Sequence, residues 1–430
     1  MSMFTSASLI LALMVAIYII AQRFRLSTEL SMFAAALAGA FAAGEWLPAR
    51  HIAEGAITYL DINFIFITAT FFMNILKESG GVAFAVRGIL SGFHKSRVLL
   101  LVLLTFLLLI PGALTGAGSV TVLITGGMVA IVLTYMGIPR IKVAAIIFLL
   151  AGISAAAPPV SLWAMMTAAG VNMPYVGFFW PLLVPCIIAA LTTIFILGWK
   201  GTSIDMEKAF GELPVPPEKM NWTRIAIPFL IFFGLILTGR RWPFETPVVG
   251  LPLMFMLAAL TSWILSPVKL KIFKIFTDTL KQLLPLIGTL TAAGILVQIM
   301  TLTGVRGLLA ITFITLPTFL VIGGLFILLP MTEAVLMYGA AAVFGVPLVL
   351  LFNAMGLDPI IALAGMSLIW PLGDALPPTA IIGRLSVSVT GYKDSYGKFL
   401  KQCIVPAIII CIIGTLMVIY SKQLGFLTGI

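Results

Sequence analysis

Residues 154–161 read Ser154-Ala155-Ala156-Ala157-Pro158-Pro159-Val160-Ser161, and residues 373–380 read Gly373-Asp374-Ala375-Leu376-Pro377-Pro378-Thr379-Ala380. Each stretch interrupts a long apolar run. A proline inside a helix removes a backbone donor and clashes with the preceding turn, so a Pro-Pro pair breaks the helix and leaves carbonyls free. The two breaks stand 219 positions apart (158 and 377), and the same shift pairs Pro111 with Pro330, Gly126 with Gly345, and Met136-Gly137 with Met355-Gly356. No gap is needed. Biased composition can match a few residues, but a conserved spacing from Met-Gly to Pro-Pro points to a duplicated chain, the usual plan of membrane transporters.

Around these breaks the chain is overwhelmingly apolar. Of 430 residues, 61% are apolar and 9% charged, with a mean hydropathy of +1.18, more than a soluble core could hide. Positions 98–139 and 143–199 contain no Asp, Glu, Lys or Arg; each stretch serves two or three spans of about 20 residues. Buried backbone in lipid must be satisfied within its own segment, and no strand alternation appears, so the spans are helices. The expected class is an all-α polytopic membrane protein.

Apolar segments fall near 4–22, 28–48, 55–76, 98–134, 143–170 and 174–199, and again near 224–239, 246–266, 282–303, 308–352, 359–390 and 402–421. Between the two sets, residues 200–223 are polar and proline-containing. The expected organisation is a first repeat at 1–199, a cytoplasmic linker at 200–223 and a second repeat at 224–430. A Gly/Pro/Thr interruption in each half (Pro111–Ser119 and Pro330–Glu333) reads as a re-entrant hairpin, which adds no crossing, and each Pro-Pro helix counts once. Five crossings per half then give two inverted-topology repeats.

With the N-terminus outside, 19 of the 25 Lys and Arg fall on inner loops, among them Lys77, Arg87, Lys274 and Lys281. Five fall on outer loops, and Arg384 is left in the membrane. This positive-inside bias supports the topology, with both termini outside. The first 22 residues carry no charge before Arg23 and Arg25, the reverse of a signal peptide, so they are expected to remain as the first span. The net charge of +10 reflects this topology rather than nucleic-acid binding. Cys186, Cys403 and Cys411 sit in apolar runs without ligand spacing and read as packing residues.

Hairpin tips and broken helices are where unpaired backbone groups can face a polar cavity at membrane depth. Helix N-termini there can hold a carboxylate, and freed carbonyls can hold a cation. The candidates for substrate are Ser119, Thr121, Ser161, Thr379 and Arg384. The candidates for a cation are Gly116, Gly118, Ser154, Pro158, Thr332, Glu333, Gly373, Asp374 and Pro377. Small residues at such places also pack helices closely, so any one of them alone would read as packing. Glu333, Asp374 and Arg384 stand out because an ionisable group in an apolar segment is costly; their plainer readings are an ion pair or a snorkelling end. Asp61 and Asn63 mark an end of the third span, and Asn74 and Gln298 read as interhelical hydrogen-bonders. There is no Gly-x4-Gly-Lys-[Ser/Thr] loop, and His51 and His94 fall in expected loops, so neither ATP hydrolysis nor a histidine-based site is indicated and no enzyme or cofactor is expected.

The run Gly356-Leu357-Asp358-Pro359 followed by Gly373 and Pro377-Pro378 resembles the Gly-Ile-Asp-Pro … Gly-x3-Pro-Pro run in the large membrane subunit of tripartite ATP-independent periplasmic (TRAP) transporters. The Gly137 to Pro158-Pro159 stretch is similar to its first-half counterpart, and the length and two-half layout agree. The first tip departs from the family: its hydroxyl-rich run is here Gly116-Ala117-Gly118-Ser119-Val120-Thr121-Val122-Leu123. The resemblance implies an elevator mechanism in a bacterial or archaeal inner membrane and Na+-driven uptake of a small organic acid such as a dicarboxylate. It also implies a small membrane subunit and a periplasmic substrate-binding protein as partners. The alternatives are a stand-alone dicarboxylate symporter or cation/proton antiporter, then a passive channel or an intramembrane enzyme.

Overall fold

The computed structural model describes residues 3–200, 205–242, 244, 245, 247 and 249–429. Residues 201–204 of the expected linker, and 246 and 248 of the expected segment 246–266, lie outside that description. The described chain is all helical, with helix over 79% of the residues. The first half runs α1 (Met3–Arg23), α2 (Thr28–Ala42), α3 (Ala49–Ile57), α4 (Leu60–Glu78) and α5 (Gly81–Phe93). It continues with α6 (Arg97–Thr115), α7 (Gly118–Tyr135), α8 (Arg140–Ala156), α9 (Leu162–Gly170) and α10 (Phe179–Gly198). After a short α11 (Met206–Glu212), the second half runs α12 (Trp222–Arg241), α13 (Leu251–Ile264), α14 (Ile272–Leu302), α15 (Val305–Thr315) and α16 (Thr318–Leu336). It closes with α17 (Ala341–Ala354), α18 (Pro359–Ala375), α19 (Ile381–Val389) and α20 (Tyr396–Ile419).

Nine helices among the described residues are long and apolar enough to cross a membrane. With α2 at 15 residues and α13 at 14, the expected segments 28–48 and 246–266 are shorter than read. At about 1.5 Å per residue neither alone covers a hydrocarbon core of about 30 Å. Gly44 takes a left-handed φ of +90° just past the end of α2, and Gly250 caps the start of α13 with Pro252 in its first turn.

The spacing of 219 read from the sequence recurs in the element boundaries. A five-residue π-helical turn occupies Val122–Gly126 in α7 and Ala341–Gly345 in α17. α8 and α18 cover equivalent residues, as do α9 and α19, and both Pro-Pro bonds are cis. One difference has a clear cause: α8 is α-helical to its end, whereas α18 tightens to 3-10 over Trp370–Ala375. Pro371 stands where the first half has Gly152, and a proline there removes one i to i−4 hydrogen bond.

The halves grip each other reciprocally. α2 packs on α14 while α13 packs on α4; α9 reaches α17 while α19 reaches α7; α10 lies on α18 while α20 lies on α8. Reciprocal pairing of equivalent elements is the contact pattern of a twofold relation. Gly152 and Pro371, equivalent positions themselves, touch: a Cβ on Gly152 would lie 3.1 Å from that of Pro371. Close backbone approach fixes other crossings, as where Gly365 of α18 and Gly414 of α20 each face the other's carbonyl oxygen.

α6 and α7 form one hairpin, and α16 and α17 the other. Their tips end inside the protein: Thr115 and Ala117 are fully buried, as is Glu333, and Tyr338 is nearly so. The second tip is displaced from its expected place. α16 continues through Pro330 and Glu333 to Leu336, and the chain reverses at Met337-Tyr338.

Three further readings are corrected. The stretch around Arg87, expected as loop, contains α5, whose Val82, Ala85, Val86 and Leu90 are buried at helical spacing; α15 is its second-half partner. α14 begins ten residues before the expected segment, so Lys274 and Lys281 lie on a helix. His51 lies on α3 rather than in a loop.

The described part of the linker is strapped down. Arg87 donates to the carbonyls of Phe210, Leu213 and Pro214 at 2.6–2.8 Å, and Tyr135 Oη donates to Glu212 at 2.6 Å. Lys208 hydrogen-bonds the exposed Asp205 and holds its carboxyl below the usual carboxylate range.

Candidate solute and cation site

The two hairpin tips and two helix breaks converge. At the first tip Gly116 has a left-handed φ of +66°, the conformation glycine adopts most readily. It packs against Val160 of the first break and Phe66 of α4. The Val160 N–H donates to Ala113 O at 3.0 Å, tying break to hairpin. Gly118 opens α7 and lies against Ile382 of α19 and the carbonyl of Ala151. The N-termini of α7, α9 and α19 are therefore brought around one tip. Each presents backbone N–H groups unused by its helix, the arrangement that receives an anion.

The hydroxyls divide into used and unused. Thr121 and Ser154 hydrogen-bond each other at 2.8 Å, and Ser154 also donates to Ala151 O at 2.7 Å; Gly112 allows this pair to sit against α6. Ser161 caps α9 with its backbone N–H donated to Tyr175 Oη at 3.3 Å, while its buried Oγ has no partner. Ser119 is half-buried on the first turn of α7. Thr379 precedes α19, and its Oγ1 donates to Ala334 O at 2.9 Å, joining the second break to the second hairpin.

The second half carries the charges. Trp163, early in α9, donates its indole N–H to Glu333 Oε2 at 2.8 Å, and its ring lies 5.3 Å from that of Tyr338. Glu333 is fully buried and Asp374 is 2% exposed. Glu333 Oε1, Asp374 Oδ2 and the Trp370 indole N–H have no partner within the protein. Gly373 is seated on α16 so closely that a Cβ would stand 2.6 Å from that of Glu333 and against Pro330 O. Any side chain would push the two helical segments of this junction apart. The next residue is Asp374, so the junction carries both buried acids on its two contacting segments.

Among the described residues neither Glu333 nor Asp374 forms an ion pair; the ion pairs there are Arg50–Glu54 and Lys208–Asp205, both exposed. The ion-pair reading of the buried acids is therefore not met. Uncompensated buried carboxyls are costly and require a cation, a proton or hydrogen bonds.

The remaining sequence candidates differ in exposure. Arg384 is exposed on α19 and forms no ion pair with either acid. Thr332 is half-buried, with its hydroxyl donated to Leu329 O at 2.9 Å. Pro158 is buried, whereas Pro377 is exposed, so the two breaks differ in their surroundings. Asn63, read as a span end, is buried with an unpartnered Oδ1, as is the hydroxyl of Thr70 two turns along the same face of α4. Trp163, Trp370 and Tyr338 escaped the sequence reading; the crossing of the halves gives Trp163 its polar partner, Glu333.

No protein-family model matches the chain, and no curated protein does. Among solved structures it is similar to the crystal structure of the YdaH transporter of Alcanivorax borkumensis, whose topology is described as unusual. The TM-score is 0.58 at 12% identity, over 86% of this chain and 88% of that one. The chain shares its fold with a membrane transporter.

Proposed function

We propose that the chain is a cation-coupled secondary transporter that takes up a small organic acid. One observation carries this reading: two buried carboxyls, each with an oxygen lacking a protein partner, lie on the two segments that touch at the second hairpin and the second helix break. Such a site favours a cation, with Na+ the first candidate. The free N–H groups at α7, α9 and α19 favour a carboxylate nearby, with Ser119, Ser161 and Thr379 at the three helix starts. Cation and anion would offset one another in a poorly hydrated site, which couples their movement. Gly116, Gly118, Ser154 and the freed carbonyls at Pro158 and Pro377 are available as further cation ligands in the first tip and the breaks.

The reciprocal packing supports two repeats divided near 200–223 and, together with the charge bias, an inverted arrangement with both termini outside. Hairpins and broken helices would move as one body against the remaining helices, an elevator motion. The Gly356-to-Pro378 run supports the large subunit of a TRAP system in a prokaryotic inner membrane, working with a small membrane subunit and a substrate-binding protein.

A second reading has its own support. The hydroxyl-poor first tip and the paired acids suit proton coupling, as in a stand-alone symporter or antiporter. Uptake of malate, succinate and fumarate into proteoliposomes, under imposed Na+ or proton gradients and with the binding protein supplied or omitted, separates the two. Flux that only equilibrates under every gradient would overturn both.

A further inference from the structure

We propose that the groove between α5, α6 and α12 is a binding site for one anionic phospholipid. The groove encloses about 720 Å³, and its walls are apolar side chains such as Ala85, Phe106, Ile110, Ala226 and Phe233. Its floor is the first helix break itself, Ala157-Pro158-Pro159, together with Pro111 of the hairpin. Phe106 and Phe233 are about 40% exposed along its sides, so the groove opens laterally where the apolar spans face hydrocarbon.

The groove opens toward the phase that holds lipid tails. Acyl chains are narrow enough to enter and reach the break.

Charge decides the headgroup. The groove ends at Phe93 and Trp222, and basic side chains flank both residues: Lys95 two positions past Phe93, and Lys219 and Arg224 on either side of Trp222. Lys95 and Lys219 are exposed and Arg224 is half-buried, while Arg87 and Arg97 are already committed to backbone carbonyls. Glu218 is the one acid in this immediate sequence neighbourhood. The tails would pack on the Pro158-Pro159 corner, and the phosphate would meet Lys95 and Arg224. This does not depend on which solute or cation is carried.

The test is native mass spectrometry of the full chain, taken from bilayers of equal phosphatidylglycerol and phosphatidylcholine. Wild type should retain one phosphatidylglycerol per chain in preference to phosphatidylcholine. Ala226→Trp, which fills the groove from an exposed wall, should lose it. Leu230→Trp, on the outward face of the same helix, should keep it. Lys95→Gln with Arg224→Gln should lower the preference for phosphatidylglycerol roughly tenfold or more, from two basic groups at the headgroup. Lys95 is exposed and Arg224 only half-buried, so the variant reads charge rather than core packing. Equal retention by Ala226→Trp and Leu230→Trp, an unchanged headgroup preference in the double variant, or a second copy of the chain in place of lipid would each overturn the proposal.

Discussion

The indole N–H of Trp163 meets Glu333 Oε2 at 2.8 Å across 170 positions of sequence, so the helix after the first break holds the carboxyl at the second hairpin tip. This contact joins the two halves at the point where their helices are broken. It also orients Glu333, leaving its other oxygen free.

Trp163→Phe keeps the ring against Tyr338 but removes the donor. Leaving the buried carboxyl without that partner should cost about 1–3 kcal/mol of stability. Glu333→Gln keeps an acceptor for the indole and should fold with a smaller loss. Denaturation of both variants in one detergent checks the order, and a larger loss for Glu333→Gln would contradict it.

Gly373→Ala should be more damaging than its size suggests. The added carbon would meet Pro330 O and the Glu333 Cβ, both in a packed junction, so about 1–3 kcal/mol is expected from overpacking. Gly127→Ala, where a Cβ meets nothing within 4 Å, is the control and should be neutral or slightly stabilising, since alanine is the better helix former.

Asn74 donates to Thr279 Oγ1 at 2.8 Å and to Gln282 Oε1 at 3.3 Å, linking α4 to α14. Hydrogen bonds between membrane helices average only about 0.6 kcal/mol. A double-mutant cycle of Asn74→Ala and Thr279→Val should give a coupling of that order. A coupling indistinguishable from zero would remove the bond from the account.

Arg87→Gln should free the strap over residues 205–214, because one guanidinium holds three of its carbonyls. Faster proteolysis there, with the membrane core still folded, is the expected result. The Asp205–Lys208 pair beside it is exposed and contributes little. The sign of its pH dependence follows from the lowered Asp205 carboxyl. Any stabilisation is present above the usual carboxylate range and lost as pH falls through the lowered folded value, so wild type and Asp205→Asn should converge in acid.

Much of this fold is legible in the residues. The prolines and glycines repeated at one spacing mark both breaks, and the π-helical turns and helix limits keep that spacing. Asn74, one amide in an apolar span, does bond across helices; Gln298 is half-buried without such a bond. The second tip is misplaced because Pro330 resembles a turn signal, yet α16 runs through it and the chain reverses only at Met337. α5 is obscured by Arg87, whose charge suggests a loop until the strap gives it carbonyl partners. The role of Trp163 depends on which segments cross, and local pattern carries no trace of that. Glu333 and Asp374 are recognisable from their cost alone; that Gly373, beside Asp374, packs against the helix of Glu333 is a property of the folded chain.

The central claim is that Glu333 and Asp374 hold the coupling cation, and the most direct measurement is the melting temperature of the purified chain in a sodium series at fixed ionic strength and pH, with choline as replacement. Binding to the folded state raises stability as RT ln(1 + [Na+]/Kd), so wild type should melt higher with increasing sodium, while Glu333→Gln and Asp374→Asn should not respond. A wild type indifferent to sodium, or variants that respond as wild type does, would contradict the account.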